Sequence, residues 1–563
     1  MAGRIRSIIS EKISQYIKQK NVRYRLEVLP LKSATSDGVL KATLRLPLDD
    51  SDASDLHKVM PNIKFNSDLV QAIQFFPAVG KHLANYEFQL QPQAFVEDVL
   101  LHSNHTAALQ ENKQSHIVLE FSSPNIAKPF HVGHLRSTII GNVIGNLHRH
   151  LGYQVTNLNY LGDWGTQFGL LQIGVEMTEL TDEHMRLQPI ESLYRAYVTA
   201  NEAAKTDPSI VEKARQYFTQ LENGASPEIA KQWQKYRGYT VAELSQVYAR
   251  LGVQYDHYDW ESQYSQSKIV DILQQLSEKS LLTDDDQGRR VVHVDGRRVP
   301  VIKSDGSTLY LARDIAALLD RLQRFNFERI LYVVDNSQTD HFKALFHTTS
   351  ALSENLPLAK TCHVKFGRIR GMSTRSGNAV FLRDVLDEAR DIMLEKQAQS
   401  PTTKVELSTN VDTREVADIL GVSAVIVNDL KQRRQRDYDF DWSKALQMNG
   451  DTGIKMQYTH CRLCSLLEKM TDVTLEGVIP NFEHLKEPEM LELLIVVARF
   501  EQAVWQAKEQ LEACILVNYL FTLCNTTSRA LKRVNIKNEP ILVKQQNRLL
   551  LFKTTKDTLS KGM

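Results

Sequence analysis

A single stretch, His116 to Phe168, reads HIVLEFSSPNIAKPFHVGHLRSTIIGNVIGNLHRHLGYQVTNLNYLGDWGTQF and restricts the fold more than any other part of the chain. It opens with a short apolar run of strand length, His116–Phe121. Pro124 and Pro129 stiffen the polar turn that follows. Leu135, Ile139, Val143 and Leu147 then recur at four-residue spacing, which predicts a helix from about Gly133 to Leu151, stopped by Gly152. Val155–Leu161 reads as a second strand. Strand, loop, helix and strand in that order predict parallel strands joined by a right-handed crossover, the unit of a layered α/β sheet.

The loop-to-helix junction carries the chemistry. Unpaired N–H groups and the positive end of the helix dipole favour an anion there. The sequence places Lys128, His131, Gly133 and His134 in that corner. Gly133 leaves room for a bulky ligand against the backbone, the imidazoles can bond phosphate oxygens, and Lys128 adds a full positive charge. Two surface histidines at a helix start would explain HxGH on its own. In its strand–turn–helix setting it predicts a nucleotide site.

His131-Val132-Gly133-His134 resembles the HIGH signature of the class I aminoacyl-tRNA synthetases. The wider string, from Glu120 through LNYLGDWGTQFG (Leu158–Gly169), resembles the arginine-specific members in their fungal and mitochondrial branch. The likeness covers nearly the whole chain, more faintly at the N-terminus. It implies an α/β Rossmann-like (HUP-type) parallel-sheet catalytic domain at 111–404, with a helical insertion at about 170–280. It also implies an α+β N-terminal domain at 1–110 that touches the tRNA elbow, and an all-α anticodon-binding domain at 405–563. A packing module would fit residues 1–110 equally well.

Composition sets outer limits. The chain has 563 residues, enough for two to four domains, and 68 basic against 67 acidic residues, so any RNA footprint is a local patch. Five irregularly spaced cysteines point to a reducing compartment. The longest strongly apolar run, Leu493–Ala498, is too short to span a bilayer. Met1–Arg25 holds seven Lys/Arg and one acid, with Ile5, Ile8, Ile9, Ile13 and Ile17 at helical spacing. That fits a basic amphipathic import sequence, and equally a first helix packing on its own domain. The branch resemblance tips the expectation to the mitochondrial matrix, with the cytoplasm as the alternative.

Elsewhere the first unit reads as a helix, a strand at Val39–Leu46, a helix from Ser67 and a strand near Phe88. Aromatics in the insertion, among them Tyr194, Tyr197, Tyr217, Phe218, Trp233 and Tyr236, read as core. Asp295-Gly296 between two apolar runs predicts a hairpin. Asp284-Asp285-Asp286 lacks partner acids at calcium-loop spacing and reads as a solvated turn. Amphipathic runs at Asp451–Met470, Glu489–Leu511 and Leu516–Leu531 predict a helical bundle.

Tyr310 and Asp314 are four residues apart and share a helix face. A carboxylate beside an aromatic ring can receive a guanidinium, although spacing alone would favour a pair with a neighbouring arginine. The resemblance assigns Tyr310, Asp314 and Gln338 to the arginine side chain and Glu120, Ser123, Pro124 and Asn125 to its polar end, with His134 at the junction with ATP. Met372-Ser373-Thr374-Arg375 resembles the KMSKS lid over the ATP phosphates. Here Gly371 and Thr374 stand where the signature has its lysines, and the resemblance gives the leaving-group charge to Lys128, with Arg375 as helper. ATP and Mg2+ are then required, arginine is activated as an adenylate once tRNA-Arg is bound, and the 2′-hydroxyl of the terminal ribose accepts it. No protein-bound zinc is expected, since CxxC at Cys461 and Cys464 has no second pair.

Gln457, Tyr458 and Arg462 match the family's QYTHAR helix and could contact tRNA or simply bury Tyr458 in the core. Arg433 and Arg434, in KQRRQR (431–436), are an electrostatic candidate for RNA phosphates or a solvated face. The alternatives are another adenylating enzyme on the same fold, disfavoured by the C-terminal helices and Tyr310/Asp314, and a catalytically inactive tRNA-binding relative. The altered lid and an ending at LSKGM, shorter than is usual in the family, keep the inactive relative open and imply weaker anticodon reading. A monomer is expected.

Overall fold

The computed structural model describes residues 3–18, 21–30, 42–101, 115–126, 130–222, 224–264, 266–304, 308–372, 381–399, 412–447 and 450–563. They form two compact units, Glu111–Ala445 and a second in which Met1–Gln110 joins Leu446–Met563.

The first unit is built on a five-stranded parallel sheet. Its strands are β1 (His116–Phe121), β2 (Gln154–Leu161), β3 (His257–Trp260), β4 (Arg329–Asp335) and β5 (Thr361–Phe366), in the order β5-β4-β1-β2-β3. Val118 of β1 lies opposite Thr156 of β2 and Ile330 of β4, which fixes the central register. β1 is buried from Ile117 to Phe121, as a central strand covered on both faces requires. Three helices stand next to the central strands in sequence: α1 (Val132–His150) crosses from β1 to β2, α2 (Tyr310–Phe325) precedes β4, and α3 (Thr339–Leu352) comes after it. Strand order reverses between β1 and β4. In such sheets the ligand crevice opens beyond the carboxyl ends of the strands at that reversal.

Two glycines set how near α1 comes to the sheet. A Cβ at Gly141 would stand 2.2 Å from Phe121 Cγ, and one at Gly145 would stand 3.0 Å from Asn157 Oδ1.

The insertion differs from its expected span. Helices run from Thr166–Met177 to Pro227–Arg250, and the chain then returns to the sheet as β3. HYDW is too short and too polar for its alternation to show in the sequence. The insertion's aromatics are largely core, with Tyr236 fully buried and Trp233 and Tyr197 packed around it. The Asp295-Gly296 hairpin forms, Arg290–Val294 pairing antiparallel with Arg297–Ile302. Both turn residues have positive φ (48° and 75°), as a two-residue type I′ turn demands. Asp285 closes the turn before it by accepting the N–H groups of Gln287 and Arg289.

In the second unit an antiparallel sheet runs Glu27–Val28, Thr43–Leu48, Ala84–Leu90, Val70–Phe76. The helix expected from Ser67 is instead the edge strand Val70–Phe76. Its β-branched and aromatic residues fit a pleat, and one side of it needs no partner. Helix Gly3–Ile13 buries Ile5, Ile9 and Ile13, and Asp98 accepts the N–H groups of Arg4 and Ile5 (3.2 and 3.1 Å). The isoleucine stripe is therefore core of this unit.

The C-terminal bundle is grouped with Met1–Gln110 in that same compact unit. It comprises Gly453–Glu468, Pro488–Ala498, Phe500–Gln510, Ala513–Arg533 and Leu542–Gly562; the run expected over Glu489–Leu511 breaks at Arg499. Glu501 pairs with buried Arg6 (3.5 Å) and Arg23 (3.7 Å), and Gln502 accepts the Val28 N–H (3.1 Å). Helix Thr413–Leu430, which the sequence boundary near 404 would place in the bundle, packs in the first unit on Leu382–Gln399. A Cβ at Gly421 there would stand 2.8 Å from the Ala389 carbonyl carbon.

Gly141→Ala forces α1 off Phe121 and is expected to destabilise the Glu111–Ala445 unit by about 1–3 kcal/mol. Differential scanning calorimetry on the full chain checks it; an unchanged melting profile would contradict the close packing.

Candidate active site

A cavity of about 760 Å3 opens at the carboxyl ends of β1 and β4. Its shape begins with backbone strain. After Phe121 the chain takes two successive left-handed residues, Ser122 (φ 73°) and Ser123 (φ 46°), a costly choice for residues with side chains. Hydrogen bonds hold the turn from both sides. The Ser122 N–H donates to Ser137 Oγ (2.8 Å), whose own hydroxyl donates to the Val333 carbonyl (2.6 Å). The Ser123 N–H donates to Asn159 Oδ1 (3.1 Å), and the Ser122 and Tyr248 hydroxyls lie 2.8 Å apart. The turn sends Pro124 inward, where its carbonyl accepts the Gly162 N–H (3.1 Å). Pro124 is buried and is not in the cavity lining, whereas Ser123 and Asn125 are.

His131 caps α1. Its Nδ1 accepts the Gly133 N–H (3.0 Å), and His134 Nδ1 accepts the His131 N–H (3.3 Å), a reciprocal cap. The two rings stack with centroids 4.1 Å apart. Since Nδ1 is the acceptor in both, Nε2 carries the proton of each neutral ring. A Cβ at Gly133 would meet His131 Cε1 at 2.7 Å. The space that the sequence assigns to a ligand is filled by the capping imidazole. His131, Gly133 and His134 all line the cavity.

The opposite wall comes from α2 and the end of β4. Tyr310 is 67% exposed at the start of α2. Asp314, one turn on, meets His341 Nε2 at 2.8 Å, not a neighbouring arginine. Gln338 is exposed in the short turn after β4. Glu120 lies deeper, where Arg321 Nη1 donates to its Oε2 (2.5 Å) and Arg321 Nε donates to Asp259 (3.2 Å). Glu261 and Tyr160 complete this side. Burial, then the nearby Asp314 and Glu261 carboxylates, push the Tyr160 hydroxyl well above its ordinary range.

Glu120, Ser123, Asn125, His131, Gly133, His134, Tyr310, Asp314 and Gln338 thus share one cavity. Met372 is buried and is not in its lining. Lys128, Ser373, Thr374 and Arg375 lie outside the described residues. Sequence reasoning missed Arg321, Glu261, Tyr160 and His341. Arg321 had a signal, since it follows Asp314 by seven residues and so shares its helix face. Asp259 and Glu261 had none, because β3 itself was not legible. The LGDWG string is structural: buried Asp163 accepts from Ser262 N–H (3.0 Å) and Oγ–H (2.8 Å) and pairs with Arg237 (3.3 Å).

The expected tRNA contacts fall on both units. Arg434 donates to the Lys365 carbonyl in β5, and Arg433 is exposed. Gln457, Tyr458 and Arg462 lie on helix Gly453–Glu468. Tyr458 is 61% exposed and so is not core, and the Arg462 guanidinium lies 5.7 Å from its ring centre. Among the described residues no three His, Cys, Asp or Glu side chains gather as a metal site.

Ser137→Ala leaves the buried Ser122 N–H without its acceptor, a loss of about 1–3 kcal/mol. A lowered melting temperature together with weaker binding of the ligand that fills the cavity is the expected result, read by calorimetry and steady-state kinetics. Unchanged values would show that the left-handed turn stands without this support.

Residues 95–442 match the family described as tRNA synthetases class I (R), catalytic domain, and residues 456–563 match the DALR anticodon binding domain. A probable mitochondrial arginine–tRNA ligase of Bos taurus is 40% identical over 453 residues, 79% of this chain and 76% of its own length. A probable cytoplasmic arginine–tRNA ligase of Dictyostelium discoideum is 36% identical over 525 residues, 88% of this chain and 87% of its own. The fold is shared with Thermus thermophilus arginyl-tRNA synthetase, with a TM-score of 0.78 at 21% identity over 99% of this chain and 98% of that one. The chain belongs to the class I arginyl-tRNA synthetases.

Proposed function

We infer that the chain ligates L-arginine to tRNA-Arg in two steps. One observation carries the reading: a single cavity joins a capped helix N-terminus bearing two imidazole donors to a wall of carboxylates beside an aromatic ring. ATP lies against the His131–His134 end of α1, where the dipole and the Nε2–H donors favour phosphate. The substrate guanidinium reaches Asp314 and Glu261 beside Tyr310, displacing His341 from Asp314, and Gln338 helps orient it. The α-ammonium group meets Glu120 near Ser123 and Asn125.

Held so, the arginine carboxylate attacks the α-phosphorus, the bond to the bridging oxygen breaks, and pyrophosphate leaves. Positioning and charge stabilisation supply the rate, with no covalent enzyme intermediate. Lys128 offsets charge on the leaving group. A magnesium ion carried with ATP would supply further positive charge at the phosphates. The terminal ribose hydroxyl of tRNA then attacks the adenylate carbonyl and AMP leaves. In the other unit, exposed Tyr458 with Arg462 over its ring offers a stacking face for an unpaired anticodon base. Arg433 remains the phosphate candidate of the 431–436 run, since Arg434 is committed to a backbone carbonyl.

Charging of tRNA-Arg transcript with radiolabelled arginine and ATP tests the assignment. Wild type is expected to charge, and Lys128→Ala to lose most of the rate. Charging that survives the substitution would move the leaving-group role to Arg375, and no charging by wild type would refute the ligase reading.

The site of action is the mitochondrial matrix, supported by mitochondrial relatives such as the bovine ligase, with a cytoplasmic relative in Dictyostelium marking the alternative. Helix Gly3–Ile13 serves the fold in either compartment, because its isoleucines are core. Protease protection of the protein in intact mitochondria, lost when both membranes are opened, is the expected result; recovery in the soluble cytosol would reverse the assignment.

A further inference from the structure

Beneath the amino-acid wall lies a buried charge cluster that takes no direct part in the two chemical steps. Arg321 is 1% exposed. At about 100° per residue, Tyr310, Asp314 and Arg321 fall on one face of α2, a stripe running from the cavity mouth to its floor. Arg321 Nη1 donates to Glu120 Oε2 and to the Tyr332 hydroxyl (3.2 Å), and its guanidinium lies 4.7 Å from the Tyr160 ring centre. On its far side Nε donates to Asp259, which is itself forked by Arg324 at 2.8 to 3.0 Å. With Oε2 taken by Arg321, Glu120 presents Oε1, bonded only weakly by the Ser123 hydroxyl (3.3 Å) at the cavity.

We propose that Arg321 is a positioning residue for the amino-acid substrate: it fixes Glu120 as an oriented carboxylate whose Oε1 edge meets the α-ammonium group, and Asp259 anchors Arg321 from behind. The proposal rests on Glu120 receiving the substrate's polar end.

The charges around Glu120 give the proposal a sign. Burial pushes the Glu120 carboxyl up, Arg321 draws it down, and Asp314 and Asp259 push it up again. Tyr332 and Tyr160 face Arg321 from β4 and β2 and are held neutral by burial. A carboxyl that must be ionised to bind an ammonium group gives an acidic limb in the pH profile of kcat/KM for arginine. Removing the cation beneath it moves that limb up; removing the competing acid moves it down. A purely structural part for the cluster predicts no such opposition of sign.

The experiment measures aminoacylation by the full chain from pH 5.5 to pH 9 (roughly the range over which a perturbed carboxyl and a histidine titrate), with KM taken separately for arginine and ATP. Glu120→Gln tests the premise first: it is expected to raise the arginine KM and abolish the limb, and if it does neither, the assignment of Glu120 fails independently of Arg321. Arg321→Met is expected to raise the arginine KM by on the order of tenfold at pH 7, to move the limb up by about 1–2 pH units, and to leave the ATP KM in place. Arg321→Lys keeps the charge and should hold the limb near wild type. Asp259→Asn should move it down. With Glu120→Gln raising the arginine KM and abolishing the limb, an unmoved limb in Arg321→Met overturns the proposal, as does a parallel rise of both KM values. Should Arg321→Met fail to fold, Asp259→Asn decides, and a limb that stays or rises in it overturns the proposal.

Discussion

The left-handed pair Ser122–Ser123 is the constraint on which the site depends. A central strand buried on both faces must end abruptly if its last residues are to face a ligand rather than a neighbouring layer. Two residues at positive φ achieve that reversal at a cost of order 1–3 kcal/mol each. The cost is offset locally: α1 supplies Ser137 and Thr138, β2 supplies Asn159, and the insertion's last helix supplies Tyr248. These partners come from three different elements, so the turn is stable only in the assembled sheet. The same turn buries Pro124 and sets Asn125 against Gly162.

Much of this is legible in the sequence alone. The β1–α1–β2 unit announces itself through four-residue spacing and a clean change of period, and the Asp295-Gly296 hairpin through turn chemistry. What the sequence hides has physical causes. β3 is four residues long and polar, because Asp259 faces an ion cluster instead of a hydrophobic layer. The Val70–Phe76 strand does not read as one because an edge strand need not alternate; its interior residues are exposed. Gly133 reads as room for a ligand, yet the nearest claimant to that room is two residues away. Periodicity shows which face of an element is apolar. It does not show which polar side chain folds back onto its own backbone.

The grouping of the two ends of the chain in one compact unit is hidden for a different reason. Amphipathic helices at the end of the chain predict a bundle, and strands near its start predict a small sheet, but nothing in either pattern says that they share a core. The link is electrostatic and backbone-directed: Glu501 between Arg6 and Arg23, Gln502 on the Val28 N–H, and Gln93 bonded to the Pro480 carbonyl and the Phe482 N–H. Such contacts join residues hundreds of positions apart and leave no local trace. Arg6 and Arg23, far from Glu501 in sequence, find that partner only in the folded unit.

Buried ion pairs are weak evidence for stability, since desolvation can exceed the attraction. The Glu120–Arg321–Asp259–Arg324 cluster is better understood as a device for geometry. Arg324 also pairs with Asp320 (3.2 Å), so each guanidinium sits among carboxylates, and the single Arg321 Nη1 bond gives the Glu120 carboxylate a direction as well as a counter-charge. A lone Glu120 in the same place would have burial against it and no fixed orientation. A substrate carrying an ammonium, a guanidinium and a carboxylate needs its three groups held at set distances before the carboxylate can meet phosphorus. In the proposed binding mode the stripe on α2 serves that end, because Asp314 and the support of Glu120 are carried by one helix. Strand β1 itself carries Glu120 to that helix, and the strained turn that follows sets Ser123 and Asn125 beside it in the same cavity.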